Sequence, residues 1–120
     1  PRRLVRETGG GGARSLLEED LTARERLIVS RHRRRERAEK AAERWAVPAE
    51  TYLRWEEGRA PCPEVKLRGL TQGEQFLILR LRAGLSRGEL GRAVGLREQD
   101  VTRTEEDASI NKKIVEYFSR

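Results

Sequence analysis

Residues 21–58 of this chain return, altered but in register, at residues 70–107. Leu21, Thr22 and Glu25 answer to Leu70, Thr71 and Glu74. Arg31 and Arg33 answer to Arg80 and Arg82, and Arg54, Glu56 and Glu57 to Arg103, Glu105 and Glu106. One offset of 49 residues, with no gap, aligns all eight identities. Apolar positions follow it at Leu27/Phe76, Ile28/Leu77, Val29/Ile78, Val47/Leu96 and Tyr52/Val101. An internal period of this size restricts the chain to two copies of one supersecondary unit.

A unit of about 50 residues is marginal on its own. With 36% apolar against 38% charged residues the core must be thin, so the copies are expected to pack on each other or on a partner. No stretch approaches the ~18 apolar residues of a membrane helix, and no signal-peptide pattern is present. The one cysteine, Cys62, has no partner for an internal disulfide. Together these features lead to an expectation of a cytoplasmic protein in a reducing compartment. Cys62 stands between Pro61 and Pro63 and reads as an unreactive linker thiol.

The net charge of +6 and a pI near 10.2 suit a polyanionic partner. Residues 21–47 carry most of it, with nine Arg and Lys against four Glu. The run Arg31-His32-Arg33-Arg34-Arg35-Glu36-Arg37 is its densest part. Only four of the 26 basic residues are Lys, and the Arg fork binds phosphate oxygens in pairs.

Residues 1–14 contain Gly9-Gly10-Gly11-Gly12 and scattered Arg, and read as a flexible tail that is merely solvated or enters a minor groove. Residues 15–20 suit a short helical turn on the first copy. Beyond them the pattern is all-α. Thr22/Glu25, Thr71/Glu74 and Ser86/Glu89 are three capping boxes. Apolar residues at helical spacing follow: Leu27, Ile28; Ala38, Ala41, Ala42, Trp45; Phe76, Leu77, Leu81; Leu90, Ala93, Val94. Pro48 suits a first helical turn, Gly58 ends that helix, and a final helix covers 110–118. The expected domains are a tail 1–14, a first module 15–60, a linker 61–69 and a second module 70–120.

In the second copy, helices 71–82, 86–94 and 97–106 are separated by turns at Gly84 and Gly95, both suited to the left-handed backbone. Two short helices joined by such a turn form the helix-turn-helix, whose second helix enters the major groove. The stretch Ala83-Gly84-Leu85-Ser86-x-x-Glu89-Leu90-Gly91-x-Ala93-Val94-Gly95-Leu96, continued by Arg103-x-Glu105, resembles the Cro/C1 (Xre-type) repressor helix-turn-helix. The first copy resembles the end of that motif, in Val47-Pro48-x-x-Thr51-Tyr52-x-Arg54-Trp55-Glu56-x-Gly58. The likeness covers about 37 residues per copy. It implies two tandem helix-turn-helix modules packed together, and a bacterial or phage transcriptional regulator that reads double-stranded DNA.

The departures differ between the copies. Arg87 stands where the family has a phosphate-touching Gln, and Arg97, a poor cap, stands where it has Ser or Thr. The positions then facing bases are Glu98, Gln99, Asp100 and Thr102, two of them acidic. In the first copy Arg35 and Arg37 replace the turn glycine and the serine cap, so residues 22–45 fit one continuous helix as well as two.

The expected DNA contacts are Arg33, Arg34, Arg35, Arg37, Arg54, Arg87 and Arg103 on phosphates, and Ala49, Glu50, Leu53, Glu98, Gln99 and Thr102 at bases, with Arg97 also among the DNA-binding residues. The resemblance implies that the Arg31/Glu56 and Arg80/Glu105 pairs are salt bridges clamping first to third helix. Trp45, Tyr52 and Trp55 read as core, and His32, without Cys or His companions, as no metal ligand. No nucleophile set, metal-spaced cluster or phosphate loop is present, so neither enzymatic activity nor a cofactor is expected. A rival reading is a protein-binding regulator. It would grip RNA polymerase, a sigma factor or another transcription factor through Glu98, Asp100 and helix 110–118. A homodimer and a nucleoid location are consistent with either reading. RNA binding has little support, because stacking aromatics are few.

Overall fold

The computed structural model describes residues 16–119. The glycine-rich stretch 1–14 lies outside them. The described chain is all-helical and divides into two compact units, residues 17–70 and residues 71–119, with Leu16 grouped with the latter.

The first unit opens with a 3-10 turn, Glu18–Asp20, then α1 (Ala23–Arg34), α2 (Ala38–Trp45) and α3 (Ala49–Glu56). The second contains α4 (Gln72–Arg82), α5 (Arg87–Val94), α6 (Glu98–Glu105) and α7 (Lys112–Phe118). The starts of α4, α5 and α6 lie 49 residues after those of α1, α2 and α3. The ends of α5 and α6 keep the same offset, and α4 stops one residue early. The repeat read in the sequence is therefore a repeat of backbone.

Helix starts follow the capping chemistry. Thr22 Oγ1 accepts from Glu25 N at 3.2 Å while Thr22 N donates to Glu25 Oε1 at 2.9 Å. Thr71 and Glu74 repeat both distances, and Ser86 and Glu89 do the same at 3.1 and 2.8 Å. Each box is worth about 1 kcal/mol. The final helix begins at Lys112, two residues later than the sequence pattern suggests, because the Asn111 side chain caps it by accepting from Lys113 N at 2.9 Å.

Residues 22–45 form two helices. Arg35 takes the left-handed conformation at φ 53, and its N–H turns back onto Arg31 and His32 carbonyls. No glycine permits this turn; a tertiary grip enforces it. Arg31 NH1 donates to the Glu36 carbonyl at 3.0 Å, and Arg44 pairs with the Glu36 carboxylate at 3.0 Å. The helical periodicity running from 27 to 45 is real, but these contacts override it.

Each unit closes its own core. In the first, Leu27, Ala41, Ala42 and Tyr52 are buried, with Trp45, Val47, Trp55, Cys62 and Val65 around them. In the second, Phe76, Leu90, Val101 and Ile114 are buried, with Leu85, Val94, Leu96, Ile110 and Phe118 around them. Volume is redistributed between equivalent positions. Ala41, Trp45 and Tyr52 of one copy stand where Leu90, Val94 and Val101 stand in the other. Trp45 and Trp55 meet edge to face at 6.0 Å, and Tyr52 meets Trp55 at 5.9 Å. The fourth wall differs most. Val65, in an irregular strap, occupies the place that Ile114 of α7 takes in the second unit. Pro61 and Pro63 explain the strap, because each lacks an amide donor and disfavours helix in the residue before it.

Candidate nucleic-acid interface

Each unit holds its third helix against its first by one arginine–carboxylate pair. Arg31 Nε and NH2 donate to Glu56 Oε2 and Oε1 at 2.6 and 3.0 Å. Arg80 does the same to Glu105 at 2.6 and 3.1 Å. The remaining nitrogen, NH1, holds the carbonyl of Glu36 in one copy (3.0 Å) and of Leu85 in the other (2.9 Å), again at the 49-residue offset. A single guanidinium thus fixes both the third helix and the first interhelical turn. Hydrogen bonding to Glu56 raises the Arg31 pKa above its ordinary value. The Tyr52 hydroxyl lies beside this pair without a well-formed hydrogen bond, and burial pushes it far above its ordinary pKa.

The clamp turns equivalent faces of α3 and α6 outward. On α3, Glu50, Leu53 and Arg54 are exposed, and Leu53 keeps 42% of its surface in solvent. The equivalent residues of α6 are Gln99 and Arg103, both exposed, and half-buried Thr102. Glu50 and Arg54 approach only to 3.9 Å. Thr102 Oγ1 donates to the Glu98 carbonyl at 3.3 Å, as a residue within its own helix. Ala49, expected at the bases, is half-buried and packs against the first core.

The arginine run divides by role. Arg34 and Arg37 are exposed, and Arg35, also exposed, forms the left-handed cap of α1. Arg33 is used internally, donating to the carbonyls of Leu67 and Gly69 at 2.7 Å each. Glu18 completes this clamp by accepting from the amides of Leu67 and Gly69 at 2.6 and 2.8 Å. Those amides hold the Glu18 carboxyl below its ordinary pKa. The strap between them carries exposed Arg68 at φ 62. Nothing local in the sequence announces this clamp, since its parts lie far apart in the chain.

In the second unit, Arg97 is exposed and contributes no side-chain cap to α6. Asp100 supplies the missing function, accepting from Arg97 N at 3.1 Å, and that amide lowers its pKa. Of the two acidic residues expected at the reading face, Asp100 is therefore occupied with its own helix terminus. Glu98 is left exposed. Arg87 donates from Nε to Glu105 Oε1 at 2.9 Å. The sequence reading missed this contact. The apolar side chains of the last helix, Ile114, Val115 and Phe118, are directed to the second core.

Cys62 is half-buried against the first core, and burial raises its thiol pKa. Among the described residues no group of three or more His, Cys, Asp and Glu could hold a metal ion, and no helix is long and apolar enough to cross a membrane. Comparison of the chain with protein-family models, with curated proteins and with solved structures finds no match.

Proposed function

We propose that this chain is a sequence-specific double-stranded DNA-binding transcriptional regulator. One observation carries the reading: both units lock a short third helix and the first interhelical turn through the same three arginine hydrogen bonds, and both expose the equivalent pairs Glu50/Gln99 and Arg54/Arg103 on that helix. Rigid presentation of a short helix is what base readout needs, because discrimination depends on holding side chains within hydrogen-bond reach of base edges.

In this reading Gln99 pairs with adenine, Glu50 accepts from cytosine N4, and Leu53 packs on a thymine methyl group. Thr102 adds a hydroxyl with little base preference. Arg34, Arg35, Arg37, Arg54, Arg87, Arg97 and Arg103 supply the phosphate contacts that fix register. Arg33 is better assigned to the strap than to phosphate, given its two carbonyl partners. With about six of these seven arginines on phosphate at once, the log–log dependence of affinity on salt should have a slope of about −5. Duplex titration at several salt concentrations tests this, and a flat response would remove the DNA-binding reading.

Exposed Glu98 favours the second reading, a protein-binding regulator. Glu98→Lys separates the two. It should leave or strengthen duplex affinity if the chain binds DNA, and abolish partner capture if α6 grips a protein. Asp100→Lys is less informative, because it also uncaps α6.

A further inference from the structure

Glu105 is the most buried carboxylate among the described residues, with 1% of its side chain exposed, and it carries two arginines. Arg80, itself 9% exposed, takes both oxygens. Arg87 reaches the same carboxylate from the start of α5 through Nε alone, with 30% of its side chain exposed. One negative charge facing two positive ones leaves a unit of positive charge. Arg80 is sealed from solvent, so the surplus sits on Arg87.

The guanidinium of Arg87 is planar, so fixing its Nε edge orients the whole fork. Its distal nitrogens, NH1 and NH2, have no hydrogen-bond partner among the described residues. A tethered fork with two free donors has the shape and charge to take one tetrahedral oxyanion through paired hydrogen bonds. Its side-chain freedom is already lost on folding, so anion binding need not restrict it again. The first unit lacks the device. Ala38 stands where Arg87 would be, and Arg31 alone pairs with Glu56.

We propose that Glu105 is a positioning residue that presents Arg87 as a preset ligand for one backbone phosphate of the duplex, with Arg80 neutralising the carboxylate. This rests on the DNA-binding reading and assigns the second unit a phosphate grip that its acidic α6 had concealed.

The test compares the full-length protein with Arg87→Ala, Arg87→Lys and Glu105→Gln, titrating a duplex across a salt series and checking folding by thermal melting. Arg87→Ala should weaken binding about tenfold and make the salt slope shallower by about 0.9. Arg87→Lys keeps the charge but loses the oriented fork, so affinity should fall while the slope stays. Glu105→Gln is diagnostic. Removing a negative charge should tighten DNA binding if only charge matters, whereas a positioning role predicts weaker binding by a folded protein. Should Glu105→Gln fail to fold, the two Arg87 variants, at a partly exposed side chain, decide the matter. A steep wild-type salt response together with an unaltered Arg87→Ala variant overturns this proposal alone. So does tighter binding by folded Glu105→Gln. Absence of duplex binding by the wild type overturns the DNA-binding reading, and this proposal with it.

Discussion

Gly73 and Asp107 close the second unit: the Gly73 amide donates to Asp107 Oδ1 at 2.8 Å, and a Cβ on Gly73 would stand 2.4 Å from the Thr104 carbonyl oxygen. The Thr71 hydroxyl donates to the other carboxylate oxygen at 2.6 Å. In the first unit the equivalent residues are Arg24 and Gly58. There Arg24 Nε donates to the Glu56 carbonyl at 2.7 Å, and the Arg24 side chain would lie 3.1 Å from a Cβ on Gly58. The glycine has changed sides of the joint, and both versions bring the end of the third helix onto the start of the first. Gly73→Ala forces backbone apart and should destabilise the second unit by about 2 kcal/mol or more. Urea unfolding measures this, and an unchanged midpoint would show that the joint is looser than described.

The Arg80–Glu105 pair is buried more deeply than Arg31–Glu56, at 9% and 1% exposure against 29% and 10%. Breaking a buried pair by removing one partner costs about 3–5 kcal/mol, because the other charge is stranded. Glu105→Met, which strands the sealed Arg80, should therefore approach that range, and Glu56→Met, whose partner Arg31 is more exposed, should cost clearly less. Equal losses would mean that exposure does not govern these pairs.

Among the described residues, four carboxyls are held below their ordinary pKa: Glu18 by the Gly69 and Leu67 amides, Glu36 by Arg44, Glu89 by the Ser86 amide and Asp100 by the Arg97 amide. A depressed carboxyl contributes stability that is fully present above its unfolded value, 4.5 for Glu and 3.8 for Asp, and is lost as pH falls through the folded value. Stability should be level from neutral pH down to about pH 5 and decline below that. Glu18→Gln should lower stability at neutral pH and flatten the acid decline. An acid limb identical to the wild type would remove Glu18 from the account.

Ala46 ends α2 at φ 58, a left-handed backbone that its methyl group disfavours, while the equivalent Gly95 adopts φ 77 without that cost. Ala46→Gly should stabilise the first unit by up to about 1 kcal/mol. A lower melting temperature would show that unfolded-state entropy outweighs the relieved strain.

The helices were legible because the offset, the capping boxes and the apolar spacing all act locally. The second copy's turns were legible from Gly84 and Gly95. The first copy's turn at Arg35 was not, because no glycine marks it and side-chain contacts hold it instead, from Arg31 to the Glu36 carbonyl and from Arg44 on α2 to the Glu36 carboxylate. The exposed positions of α3 and α6 could be counted from helical spacing, except Ala49, which the core recruits, and Thr102, which is half-buried. The arginine run looked uniform in sequence, yet Arg33 is bound to a strap more than 30 residues away and Arg34 is not. Asp100 looked like a reading-face acid until its carboxylate proved to cap its own helix, a role open to any acid three residues after an uncapped start.

Selection of bound sites from a pool of random duplexes tests the central claim most directly. A DNA reader with two equivalent exposed helices is expected to enrich a bipartite motif, and Leu53→Ala and Gln99→Ala should each relax one half of it. No enrichment above the input pool, by a protein that remains folded, would contradict sequence-specific DNA binding.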